Sequence, residues 1–480
     1  MAEYRVPGVF IEELAKLPPA VAEVETALPA FIGYTAQATL SRSGDLLGVP
    51  HRIRSLVEFE ACYGIVASYR VKRVDLDKAG NFVSASLEAI HFMHDALRLF
   101  YANGGGDCFI VSVGAFPVAG QASLAALQSG LQAVAAVDAV TLLLCPDAVL
   151  LGELERGSWQ QAALAQCSER QGRFALFDLA VSDRDGSGFR THVGSSHLKH
   201  GAAYAPWLAI HPGQPASYAQ VRDCLFREGV PVRLGELTGD PAVQKLLARL
   251  DASLMRGRRD EITRLETALA NAFPVYRGLL AGIARMVIQT PPGGAMAGIY
   301  ARVDRERGVW KAPANVAVNG IAGLAIDYST EDQAAMNVDA SAGKSINLIR
   351  RFPGKGWLVW GARTLAGNDN EWRYVSVRRF FNMLETSIRQ SMAAFVFEPN
   401  DATTWGRLRA MIDNYLTLKW QEGALMGSKP GDAFYVRCAL GQTMTDQDIV
   451  LGRLVVEMGL AVVRPAEFII LRIELKMLEG

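Results

Sequence analysis

Few residues of this chain have the type and spacing for chemistry, and the spacing argues against most of them. Gly343-Lys344-Ser345 has the tail of a phosphate loop, but the loop needs a glycine where Val338 stands and an apolar strand leading in. His91 and His94 share a helical face beside Asp95, yet no third ligand follows at a metal-site spacing. Asp183 and Asp185 in SDRDGSG resemble the start of a calcium loop, but Gly194 falls where the twelfth-position carboxylate belongs. Gly104-Gly105-Gly106 follows a helix instead of opening one, and free N–H groups lie at helix N-termini, so it reads as a helix stop and tight turn. Arg256, Arg258 and Arg259 are interleaved with Asp260, Glu261 and Glu266, the pattern of a solvated helix. Asp304 and Glu306, set among arginines, read as ion-pair partners. The chain nominates no catalytic residue, no cofactor and no metal ligand.

Composition narrows the classes further. Lys+Arg and Asp+Glu balance at 49 each, without the basic excess of a nucleic-acid binder. No apolar run reaches the roughly 18 residues a membrane-spanning helix needs. The start, MAEYRVPGVF, lacks the apolar core and cleavage site of a secretory signal, so synthesis in the cytosol is expected. The six cysteines are scattered without a C-x-x-C pair and read as reduced, buried thiols.

The elements that must position everything else are strands and helices in alternation. Residues 1–27 read as an arm carrying a strand at Val9, Phe10 and Ile11, followed by Pro18-Pro19. Residues 28–211 read as an α/β layer: strands at Ala30–Tyr34, Cys108–Val113, Ala139–Cys145, Phe174–Leu179 and Ala202–His211, with helices between. A helix is expected over Ala85–Ala102, and 66–84 as polar, irregular chain. Residues 212–286 form a helix-rich, charged insertion or connector, and 287–345 complete the outer domain. A C-terminal α+β domain is expected over 346–464, with short strands at Asn347–Arg351 and Trp357–Ala362. Amphipathic helices follow at Val375–Phe397 and Ala402–Trp420, then strands at Ala433–Ala439 and Val450–Met458. After Pro465 the segment 465–480 alternates apolar and charged through Leu471, Ile473 and Leu475, with Ile469 before them, as a half-buried strand does. Two end strands behind prolines suggest pairing with another copy by strand addition.

Six stretches share a family likeness: YRVPGVFIEE, ALPAFIGYTA, PPGGAMAGIYARVDRERGVWKAPAN, INLIRRFPGKGWLVWGARTL, WRYVSVRRFFNMLETSIRQSMAAFVFEPN and RPAEFIILRIEL. The chain resembles a contractile-tail sheath protein, the class of contractile phage tails, R-type pyocins and extracellular contractile injection systems. GVWKAPAN and VWGART are its most specific pieces, and residues 212–286 match none. One chain carries both end motifs, unlike the two-chain sheath of type VI secretion.

The resemblance implies a multidomain protomer of mixed α/β and α+β fold with terminal strand-exchange arms and a C-terminal, tube-proximal inner domain. It implies a helical homo-oligomer of stacked hexameric rings around an inner tube protein, with baseplate and cap proteins as further partners. Such a sheath contracts to drive the tube through a target envelope, as part of a phage tail or a released or cell-associated particle, and is not a catalyst. Neither direct nucleic-acid binding nor membrane insertion is expected. Within this frame the cations off the apolar stripe of the first C-terminal helix, Arg378, Arg379 and Arg389, are tube-facing candidates. Pro18, Pro19 and Pro465 are hinge candidates, because proline ends strand pairing. The competing readings are a nucleotide-dependent α/β enzyme and another part of the same machine, a tube or cap protein.

Overall fold

The computed structural model describes residues 20–116 and 122–468. The chain divides into two compact units: Glu25–Asn382 with the segment from Arg464, and Met383–Val463 with the segment up to Val24. Its longer helices, in chain order, are α1 (Met93–Ala102), α2 (Leu124–Ala135), α3 (Glu153–Glu169), α4 (Pro241–Met255), α5 (Arg259–Ala272), α6 (Pro274–Ala284), α7 (Gly293–Arg307), α8 (Val375–Met392) and α9 (Ala402–Gln421).

The larger unit is built on a nine-stranded sheet. Its spatial order is Val316–Ala317, Gly356–Val359, Ile346–Phe352, Gly201–Ala205, Phe174–Asp178, Leu142–Leu144, Pro29–Gly33, Cys108–Ser112 and His51–Ile53. The six strands from Ile346–Phe352 to Cys108–Ser112 run parallel, and antiparallel strands flank them on both edges. Parallel strands are covered on both faces, and the alternation of side chains divides the core accordingly. Phe31, Ile110, Leu142, Leu144, Phe174, Leu176 and Tyr204 pack with α1 and α7. Ala30, Ile32, Val111, Leu143, Ala175, Phe177 and Ala203 pack with α2 and α3. The expected α/β layer is therefore present, with two strands altered: Ala139–Cys145 shortens to Leu142–Leu144, and Ala202–His211 breaks at Pro206 into Gly201–Ala205 and Leu208–Ile210.

Several sequence expectations need correction. Residues 66–84 are not irregular: Tyr69–Leu76 and Phe82–Ala89 form an antiparallel ladder that buries Tyr69, Val71, Val74 and Leu76. A register shift between Val71 and Arg73 breaks the strict alternation, which masks the strand in the sequence. The helix expected to begin at Ala85 begins at Met93, because Ala85–Ala89 belong to that ladder. Part of the 212–286 region, expected as an insertion or connector, joins the same sheet: Leu225–Arg227 pairs parallel with Val74–Leu76, and α6 packs on Phe82–Ala89. The segment 66–89 and the 212–286 region thus make one lobe from two distant stretches.

Another correction concerns the boundary at 346. Ile346–Phe352 pairs with Gly201–Ala205, so both strands read as opening a C-terminal domain are part of the main sheet. The division falls instead within α8, at Asn382 and Met383. In the smaller unit α9 buries Leu408, Met411, Ile412, Tyr415 and Leu416. Beside it stands a two-stranded antiparallel sheet of Phe434–Arg437 and Glu457–Leu460. Val450, expected to begin a strand, instead ends a short helix, Asp446–Val450, started by the Thr445/Asp448 capping box.

Candidate functional site

The groups that could do chemistry are used locally by the fold. Lys344, at the apparent phosphate loop, is buried and donates to the Arg190 carbonyl, while the Ser345 hydroxyl donates to the Asn337 carbonyl. Asp183 accepts from the backbone N–H groups of Gly188 and Phe189 and so caps the helix Ser187–His192. His94 meets Glu60 at 2.8 Å, whereas His91 stacks on Phe116 at 3.5 Å. Burial lowers the His91 pKa to about 4. Among the described residues no three His, Cys, Asp or Glu side chains group as a metal site.

In an open α/β sheet a ligand binds at the carboxyl ends of the strands, where the strand order reverses. Here that point lies between Pro29–Gly33 and Leu142–Leu144. The chain fills it. The buried Asp147 carboxylate accepts from the Tyr34 N–H at 2.8 Å and from the Phe92 N–H, just before α1, at 3.2 Å. A side chain on Gly33 would lie 2.6 Å from that carboxylate. Desolvation raises the Asp147 pKa to about 6. One strand further on, Asp178 accepts from the Gly293 N–H at 2.7 Å and so caps α7; burial raises its pKa to about 7.

Two of the family-like stretches, those carrying α7 and the start of α8, meet in this interior. Gly294 and Gly298 of α7 lie against the backbone of α1: an added Cβ would come within 2.3 Å of the Ala96 and Phe100 carbonyl oxygens. Further along α7, Asp304 forms a buried two-point ion pair with Arg379 of α8, at 2.9 and 2.5 Å. Thr26 completes it, its hydroxyl donating to Asp304 and its carbonyl accepting from Arg379. The Arg379 guanidinium lies over Tyr300, whose hydroxyl meets that of Tyr204 at 2.8 Å. Arg378 stacks on Trp372 and donates to Asn382.

These contacts overturn the tube-facing reading for two of its three residues. Arg378 and Arg379 are 3% and 4% exposed and present no charge to a surface. Both sides of that part of α8 are covered, so lying off the apolar stripe does not mean facing solvent. Arg389 is exposed. The strand residues Val9, Phe10, Ile11, Ile469, Leu471, Ile473 and Leu475, and the prolines Pro18 and Pro19, lie outside the described residues. Pro465 is described. Arg464 beside it donates to the Asn370 carbonyl at 2.9 Å, and Glu467 two residues on is held by Arg363, so this proline sits between two tethers and not at a free hinge. The sequence reading missed both tethers, and no local pattern marks either.

In the smaller unit the two-stranded sheet offers outer edges that pair with no strand among the described residues. Around it the unit exposes large apolar side chains, among them Tyr435, Leu440, Val450, Leu451 and Met458. Phe397, in the turn after α8, is fully exposed with a left-handed backbone, φ 71°. Open ladder edges and exposed apolar side chains are features that pairing and interaction surfaces share.

Comparison with known proteins agrees with this picture. Residues 271–365 match the phage tail sheath protein central domain, and 367–476 the phage tail sheath C-terminal domain. The chain is 30% identical over 130 residues to the tail sheath protein of Vibrio phage KVP40, and 30% over 126 residues to that of Enterobacteria phage T4. Each match covers 26% of this chain and 19% of the phage protein, so the matched part is about a fifth of those relatives' length. Among solved structures, the anti-feeding prophage helical sheath in its contracted state is 30% identical, with a TM-score of 0.64, covering 98% of this chain and 99% of that one. The PVC sheath complex of an extracellular contractile injection system, also contracted, is 29% identical, with a TM-score of 0.60 over 99% and 98%. A likeness at 30% identity along essentially the whole length of a sheath subunit leaves one assignment: the chain belongs to the contractile tail sheath protein family.

Proposed function

We propose that this chain is the structural subunit of a contractile sheath, polymerising with copies of itself around an inner tube and contracting to drive that tube through a target envelope. The observation that carries this reading is the two-stranded sheet of Phe434–Arg437 and Glu457–Leu460, whose outer edges pair with no strand among the described residues, in a unit rimmed by exposed apolar side chains. Strands donated by neighbouring copies, Val9–Ile11 from one and Ile469–Leu475 from another, would complete such a sheet through main-chain hydrogen bonds. Stacked hexameric rings, a baseplate and a cap follow from the same reading. Arg389, being exposed, is the remaining tube-facing candidate, and Arg389→Glu should weaken co-assembly with the tube protein without changing sheath self-assembly. Unchanged co-sedimentation with the tube would place that surface elsewhere. The reading as a whole is tested by electron microscopy of the purified chain at high concentration. Hollow cylinders are expected; discrete globules under every condition that assembles related sheaths would refute it.

A further inference from the structure

The described chain ends in a tether. Glu467 receives two hydrogen bonds from Arg363, at 2.8 Å from Nε and 2.6 Å from Nη2. Asn337 donates to it at 2.8 Å and the Tyr374 hydroxyl at 3.2 Å. The three partners come from separate places: the end of the helix Thr330–Asn337, the chain after Gly356–Val359, and the residue before α8. Arg363 is itself fixed. Its backbone N–H donates to Asn347 in the main sheet, and its Nη1 donates to the Asn337 and Gly367 carbonyls. Burial alone would raise the Glu467 pKa, but the donors hold it below the ordinary glutamate range.

A corresponding tether lies near the other end of the chain, on the other unit. Glu23 pairs with Lys419 at 2.5 Å and accepts from the Tyr415 hydroxyl at 3.1 Å. The flanking N–H groups of Ala22 and Val24 donate to the hydroxyls of Ser391 and Ser387. Each end of the chain is thus secured by one carboxylate just inside the segment read as a donated strand.

A buried ion pair is weak evidence for stability, and its best-attested use is to specify position. Arg363 is 4% exposed, so the pair is anchored in the body of the larger unit. We propose that Glu467 is the anchor that sets where and in which direction the C-terminal segment departs toward a second copy of this chain, with Arg363 as its positioning partner. Departure from a fixed point lets a donated strand reach its acceptor in one register, since a slip of one residue turns every side chain to the wrong face. The role toward a second copy rests on the sheath reading; the tether itself does not.

The test uses the full chain with Glu467→Ala, Glu467→Asp and Arg363→Ala. Hydrogen exchange of the unassembled protein reads the tether. Glu467→Ala should speed exchange over 463–468 roughly tenfold while α7 and the main sheet stay at the wild-type rate. Electron microscopy reads the positioning: cylinder yield should fall, and cylinders that do form should differ in helical rise, with Glu467→Asp restoring part of both. Wild-type exchange in the alanine variant removes the tether, and wild-type cylinders from a variant with the tether released overturn the anchor role. Should Glu467→Ala fail to fold, Arg363→Ala is scored by the same two readouts. A wild-type chain that forms no cylinders would count against the sheath reading alone, because exchange still decides the tether.

Discussion

At the residue scale, the larger unit buries one ion pair whose groups answer each other closely. Asp304, Arg379 and Thr26 form one closed network, and removing one member strands the others. Asp304→Ala should therefore cost about 3–5 kcal/mol in chemical unfolding of the full chain, as breaking a buried pair does. A loss below about 1 kcal/mol would mean that water or another donor replaces the carboxylate. Asp178 makes a different prediction. Its folded pKa of about 7 stands above the ordinary 3.8, so the folded chain holds a proton that the unfolded chain gives up. That contribution to stability is fully present below about pH 4 and is lost as pH rises through 7. Asp178→Asn keeps an oxygen to accept from Gly293 and cannot ionise. The stability difference, wild type minus Asp178→Asn, should fall between pH 4 and 7; a difference flat over that range would show that Asp178 titrates normally.

At the element scale, α7 lies in the interior, with all residues from Gly293 to Ala301 buried. The small residues of PPGGAMAG are there because α1 passes at backbone contact, leaving no volume for Cβ atoms at Gly294 and Gly298. The obstacles are the Ala96 and Phe100 carbonyls, which cannot rotate away as a side-chain tip can. Gly298→Ala should destabilise the chain by about 1–3 kcal/mol even though alanine is the better helix former. An unchanged or raised melting temperature would mean that α7 shifts freely on α1. Gly278 on α6 has open space around its missing Cβ and serves as the control, where Ala should be neutral or slightly stabilising.

At the scale of the whole molecule, the question is how the protomer joins its neighbours. The tethers at Glu23 and Glu467 allow the ends to be cut without disturbing the points where they are held. Deleting 1–15 or 469–480 should leave the body's circular dichroism and unfolding midpoint unchanged and abolish ordered cylinders. Cylinders of normal length from either truncation would end the strand-exchange reading.

Some of this was legible in the sequence, because some of the physics is local. Helix stops at glycine, the parallel-strand apolar runs of 28–211 and the stripe of Val377, Leu384 and Ile388 all depend on neighbours along the chain, and each has its place in the structure. The family stretches were recognisable for the same reason: PPGGAMAG and its neighbours are constrained residue by residue. What tertiary structure alone decided is where polar faces go. Periodicity reports which side of a helix is apolar, not whether the other side is covered. Arg379 is covered by groups 75 and 353 positions away in sequence, at Asp304 and Thr26. The ladder at Tyr69–Leu76 was hidden by a one-residue irregularity, and its partner strand at Leu225–Arg227 is too short to announce itself. Glu467 reads as one more charge in an amphipathic tail until Arg363, 104 residues earlier, is folded against it.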